Sequence, residues 1–96
     1  MELEKYDIIV VGSGLSGFVI AERFSSLQNK KILIIDKRDH IGGNCYDYYD
    51  NETGILMSKY GPHLFHTNDE EVFRYINKFS KWNKWEQKTL GLIDKK

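Results

Sequence analysis

Apolar positions in this chain come first as a run, then as a stripe, then as a run again. Tyr6 to Val11, YDIIVV, is short, continuous and rich in β-branched residues. It predicts a buried strand of a parallel sheet. Lys31 to Asp36, KILIID, predicts a second. Between them Leu15, Val19, Ile20, Phe24 and Leu27 recur at helical spacing, with Glu22, Arg23 and Ser26 on the other side. A helix is expected from about Leu15 to Leu27, with Asn29 and Lys30 as stop signals. The first thirty-six residues then make one strand–helix–strand unit with a right-handed crossover.

Beyond Asp36 the pattern weakens. Residues 37 to 54 hold three glycines and several Asp and Asn, and read mainly as loop. Ile55 to Lys59 is a candidate strand. Thr67-Asn68-Asp69-Glu70 fits a capping box, with Thr67 as N-cap and Glu70 reaching back. The helix after it is expected to reach about Phe79, with Val72, Phe73, Ile76 and Phe79 inward. Trp82, Trp85 and Leu90 to Ile93 suggest a short strand or hairpin start, and both tryptophans read as core.

Composition narrows the classes. With 96 residues the chain is at the low end for one domain and too short for two. Lys and Arg number 14, Asp and Glu 14, so no basic face is offered to nucleic acid. No apolar run exceeds four residues, so no membrane span is expected. The polar start, MELEKYD, lacks the features of a signal peptide. The single cysteine, Cys45, excludes an internal disulfide and reads as a small buried residue. Together these favour the cytoplasm. No grouping of His, Cys and acids has metal-site spacing.

The chemistry begins where the first strand ends. Gly12-Ser13-Gly14-Leu15-Ser16-Gly17 matches G-x-G-x-x-G. The match follows a strand, opens a helix and has an acid, Asp36, at the end of the next strand, which is the context that gives it meaning. Gly12 permits the tight turn, Gly14 lets a pyrophosphate approach, and Gly17 lets helix and strand pack closely. The helix start offers N–H groups to phosphates, and Asp36 would accept hydrogen bonds from an adenosine ribose. The loop alone serves FAD or NAD. Lys37, Arg38 and the pair Gly42-Gly43 before Asn44 lean towards FAD, because a second glycine turn near the first suits a long, extended dinucleotide. Arg38 could face a phosphate or the adenine, or be a solvated charge at a strand end.

The pattern VVGSGLSG…IDKRDHIGGNCYD resembles the FAD-binding start of a broad flavoprotein group that includes amine oxidases. The stretch KYGPHLFHTND is narrower. It is similar to UDP-galactopyranose mutases, whose N-terminal region carries a K-R-x-H-I-G-G-N run and then K-Y-G-x-H-x-F-H-T. The resemblance covers the chain from Tyr6 to about Ile93. Ser16 departs from it, since mutases often carry a larger residue there, but the phosphate loop is left intact.

The resemblance implies an α/β fold, a Rossmann-like FAD-binding βαβ unit, incomplete as the N-terminal fragment of a larger flavoprotein. Residues 1–96 would be the first part of the FAD-binding domain, without the helical substrate domain. It further implies that Tyr60, Gly61, Pro62, His63 and Leu64 line the flavin, with His63 the key catalytic residue sensing its redox state. Pro62 fixes one φ angle. His66 would hold the loop or helix start, and His40 would be structural. Gln87 falls where the family can place a uridine-side contact, and a solvated loop glutamine is the other reading.

The implied reaction is the non-redox interconversion of UDP-galactopyranose and UDP-galactofuranose, with N5 of reduced FAD as nucleophile. Such an isomerase would serve galactofuranose and cell-surface polysaccharide biosynthesis. The full-length protein would act on UDP-galactose, alone or as a homo-oligomer, with no nucleic acid or membrane partner. The 96 residues by themselves would be inactive and bind FAD weakly or not at all. Two alternatives stay open: a flavin oxidoreductase of the amine-oxidase type, and a non-catalytic dinucleotide-binding module.

Overall fold

The computed structural model describes residues 2–94. It divides into two compact units, one ending at His63 and the other beginning at Leu64.

In the first unit β1 (Ile8–Val11) and β2 (Ile32–Ile35) pair in parallel, with Ile8 beside Ile32 and Val11 beside Ile35. Backbone bonding reaches one residue further back, where the Asp7 N–H donates to the Lys31 carbonyl at 2.8 Å. The strands are thus slightly shorter than the sequence runs and lie inside them. The connection is α1 (Leu15–Gln28). It ends at Asn29, whose left-handed backbone (φ +51°) terminates it where the sequence placed a stop.

Helix α1 forms where the spacing placed it, but it buries little apolar surface among the described residues. Leu15, Val19, Ile20, Phe24 and Leu27 are all exposed, while Ala21 is buried and Gly17 half-buried. Gly17 marks the close approach of helix and strand. A β-carbon on Gly17 would run into the Gly12 carbonyl oxygen and lie 3.1 Å from the Val10 side chain. Helical spacing puts Ala21 and Phe24 on the same side of α1 as Gly17. Strand β1 is one-sided, with Ile8 and Val10 half-buried and Ile9 and Val11 open, whereas β2 is half-buried from Ile32 to Ile34 and open at Ile35. The expectation of strands buried on both faces is corrected accordingly.

Residues 37 to 54 are not all loop. Asp47–Tyr49 forms β3 and pairs antiparallel with β4 (Leu56–Ser58), with Tyr48 opposite Met57. The intervening turn is held by Asp50, whose carboxylate accepts from the Thr53 hydroxyl at 2.7 Å and the Thr53 N–H at 2.9 Å. Cys45, expected buried, is exposed.

The second unit contains α2 (Glu70–Ile76). Its N-cap is Asp69, not Thr67. The Asp69 carboxylate accepts from the N–H groups of Glu71 (2.8 Å) and Val72 (3.3 Å), and no capping-box bond from Glu70 to Thr67 is formed among the described residues. Thr67 instead accepts from the Asp69 N–H at 3.1 Å, shaping the turn that leads in. The helix ends three residues before Phe79, where Asn77 caps it and donates its side-chain amide to the Phe73 carbonyl at 2.7 Å. Val72, Phe73 and Phe79 are exposed and Ile76 is half-buried, so no full core forms on this face. Trp82 bonds the Ile76 carbonyl (3.2 Å) and meets the Phe65 ring (5.6 Å), yet it and Trp85 are exposed. Residues 80 to 94 form no strand.

Candidate functional site

The glycine loop joins β1 to α1, and its second residue is the anchor. Ser13 is the most buried polar residue described, at 2% exposure. Its N–H and its hydroxyl both donate to Oδ2 of Asp36, at 2.7 Å each. The other Asp36 oxygen accepts the Arg38 N–H at 2.9 Å. These donors favour the ionised carboxylate: the Arg38 N–H most, then the N–H and hydroxyl of Ser13, hold Asp36 well below the usual carboxylate range. Asp36 thus fixes the loop in advance. One lone-pair direction on Oδ1 is left for a ribose hydroxyl, by the count of four sites per carboxylate.

A second glycine turn lies against the first. The Gly42 N–H donates to the Ser13 carbonyl at 2.8 Å. Gly43 has φ +59°, and a β-carbon there would come within 3.0 Å of the Gly14 Cα. Two backbones in contact, both stripped of side chains, form a cradle that any Cβ would fill. At the start of α1, Gly14 is the N-cap and offers no side-chain hydrogen bond. The first N–H groups of the helix are consequently available to an anion, with the helix dipole behind them. This is the chemistry a diphosphate needs, and the residues present fit a dinucleotide.

The segment after Asp36 is tied to the segment before His63. His40 Nε2 is 2.7 Å from the Tyr60 hydroxyl. The His40 ring stacks on Tyr46 with centroids 3.9 Å apart and planes 12° from parallel. The Arg38 guanidinium lies over the Tyr60 ring at 4.4 Å and also donates to Asn44 Oδ1 at 3.0 Å. A cation over an exposed ring contributes about 0.5–1 kcal/mol, and a neutral hydrogen bond about 1 kcal/mol net. Next to them the Lys59 N–H donates to the Tyr46 carbonyl at 3.2 Å. A polar hollow of about 450 Å³ opens beside this cluster, lined by Asp39, His40, Tyr46, Tyr48, Tyr49, Asn51 and Lys59.

His63 closes its own turn. Its Nδ1 is 3.0 Å from the Gly61 carbonyl, which can only accept, so Nδ1 carries the proton. The ring is exposed.

The structure therefore gathers Gly12, Ser13, Gly14, Gly17, Asp36, Arg38, Gly42 and Gly43 around two adjoining glycine turns, with Leu15 and Ser16 exposed on the first turn of α1 and Asn44 reached through Arg38. Lys37 is exposed. Tyr60, Gly61, Pro62 and His63 belong to the same unit, whereas Leu64 begins the second. Gln87 also belongs to the second unit, where its Oε1 accepts from the Trp85 indole at 3.2 Å. Two contributions were missed from sequence. The hydroxyl of Ser13 as partner of Asp36 had no signal beyond its place in the motif. Tyr46 as the shelf under His40 had none at all.

Comparison with known proteins places this geometry. A family model described as NAD(P)-binding Rossmann-like domain matches residues 10–79. The chain is 45% identical over 92 residues to UDP-galactopyranose mutase of Mycoplasma genitalium, covering 96% of this chain and 22% of that protein. It is 51% identical over 72 residues to dTDP-fucopyranose mutase of Escherichia coli, covering 75% and 19%. It is 47% identical over 75 residues to a probable UDP-galactopyranose mutase of Klebsiella pneumoniae, covering 78% and 19%. The chain thus spans about a fifth of the length of these relatives. The model match takes in the glycine loop, Asp36, the second glycine turn and the Tyr60–His63 segment, and with the parallel βαβ unit it shows that the chain belongs to the NAD(P)-binding Rossmann-like domain family.

Proposed function

We propose that this chain is the cofactor-binding start of a UDP-galactopyranose mutase, an isomerase that interconverts UDP-galactopyranose and UDP-galactofuranose without net redox change. One observation carries the reading. The IGGN turn and the YGPH segment, the two stretches on which the mutase resemblance rests, are joined within one unit through His40 and Tyr60. The names of the relatives support the same reading. The cofactor is FAD, which in its reduced form supplies the nucleophile for sugar transfer.

The chain's own residues then have distinct tasks. Asp36, fixed by Ser13 and Arg38, receives one ribose hydroxyl. The backbones of Gly12, Gly14 and Gly43 and the start of α1 receive the diphosphate. Gly61, Pro62 and His63 form a stiff edge against the flavin, with the exposed His63 ring turned by its Nδ1–H bond to Gly61. The uridine and sugar contacts, apart from Gln87, belong to the part of the relatives that the chain does not match, and the 96 residues alone do not turn over. The site is read as cytoplasmic; among the described residues no helix is long and apolar enough to cross a membrane.

The test uses the full-length protein carrying this chain. It is incubated with UDP-galactopyranose with its flavin either oxidised or chemically reduced, and the sugar nucleotides are separated. Furanose product from the reduced protein only is the expected result. No product in either state overturns the reading.

A further inference from the structure

The second glycine turn and the His63 segment are far apart in sequence but meet through His40 and Tyr60. His40 stands two residues before Gly42, and Tyr60 three residues before His63. The His40 ring is oriented from both sides. Its Nδ1 is 3.0 Å from the Ile41 carbonyl, an acceptor only, so Nδ1 is the protonated nitrogen. Nε2 of the neutral ring must then accept, and the Tyr60 hydroxyl must donate. Tyr46 stacks beneath the imidazole and sets its plane. Arg38 covers the Tyr60 ring from the strand end that also fixes Asp36. The hydroxyl proton of Tyr60 is thus committed to His40.

We propose that His40 and Tyr60 form a strap that positions the Gly61–His63 edge relative to the glycine cradle, so that both are positioning residues and the Tyr60 hydroxyl serves the loop, not the cofactor. The proposal rests on the mutase reading for its effect on turnover. It does not depend on that reading for its effect on the loop. The segment before β3, with its short 3-10 turn Gly43–Cys45, and the segment after β4 are joined beyond the β3–β4 pair by a donor, an acceptor and two ring contacts. The neighbouring bonds, Lys59 N–H to Tyr46 carbonyl (3.2 Å) and Gly61 N–H to Ser58 carbonyl (3.3 Å), sit on the same segment and report its order.

The test compares Tyr60→Phe, His40→Ala, their double variant and His40→Gln in the full-length protein. Gln can place an acceptor near the position of Nε2. Each single loss is expected to lower kcat about 3- to 10-fold, the worth of one hydrogen bond, with KM for the sugar nucleotide little changed. The double variant should be no worse than either single, and His40→Gln should recover most of the loss. The visible spectrum of bound flavin should shift in the singles and return in His40→Gln. Multiplying losses in the double variant, or unchanged kcat and spectrum in the singles, overturn the strap. A wild-type protein without flavin or turnover overturns the mutase reading instead. Amide exchange at Lys59 and Gly61 then decides: about 3- to 10-fold faster exchange in the single variants supports the strap, and unchanged exchange overturns it.

Discussion

Ser13 gives both its N–H and its hydroxyl to one oxygen of Asp36, each at 2.7 Å. The acid proposed to receive a ribose is therefore also employed in holding the glycine loop. On that proposal the two tasks share one carboxylate, so a change at Asp36 should act on loop order and on cofactor affinity together.

The pH dependence has a fixed sign. Asp36 is held below its unfolded value of about 4 by Arg38 and Ser13, and Asp50 is held low by the Thr53 hydroxyl and N–H. Below pH 4 the unfolded chain binds protons that the folded chain refuses. The stabilisation is present above pH 4 and is lost as pH falls towards the folded values. Thermal unfolding of the full-length protein should show a midpoint that declines below pH 4. Asp36→Asn should lower the midpoint at pH 7 and make that decline shallower.

Gly17→Ala and Gly43→Ala should both fail, for different reasons. At Gly17 the new methyl meets the Gly12 carbonyl and Val10, so the helix must move off the sheet. Overpacking of this kind costs about 1–3 kcal/mol. At Gly43 the methyl meets the Gly14 Cα at 3.0 Å from a left-handed backbone, so the cradle opens. Thermal unfolding should register Gly17→Ala most strongly. Flavin retention after gel filtration should register Gly43→Ala, with dissociation faster by at least about tenfold, or about 1.4 kcal/mol.

His63→Ala should separate binding from turnover. The side chain is exposed and, among the described residues, bonds its own turn, so folding and flavin content should be near wild type. If His63 forms the edge that faces the reacting cofactor, kcat should fall about tenfold or more. Equal kcat in the two proteins would remove His63 from the site.

Asp69→Ala should loosen the start of α2. The Asp69 carboxylate is the acceptor for Glu71 and Val72, and loss of an N-cap costs about 1 kcal/mol. Amide exchange at these two residues should quicken about fivefold, whereas Thr67→Val should leave it nearly unchanged.

The sequence was most legible where structure is local. Ile8–Val11, Ile32–Ile35 and the glycine loop announce themselves by continuous apolar runs and by a motif whose flanks agree with it. Periodicity placed α1 within a residue at each end. It tells which residues share a face, but not how closely the helix approaches the strand, which Gly17 sets. Asp47–Tyr49 escaped notice because three residues are too few to show alternation. At Thr67-Asn68-Asp69 several capping residues compete, and reach to the N–H groups selected the last. Contacts between distant loops, such as His40 with Tyr60, leave no local trace. They come into view only once both loops are placed.

The outward stripe of α1 also has a calorimetric consequence. Leu15, Val19, Ile20 and Leu27 present an exposed apolar surface to water. Any element that comes to lie on that stripe will release this water. Its docking will show a negative heat-capacity change, and near room temperature the gain will be largely entropic, so that moderate warming tightens the contact and chilling loosens it.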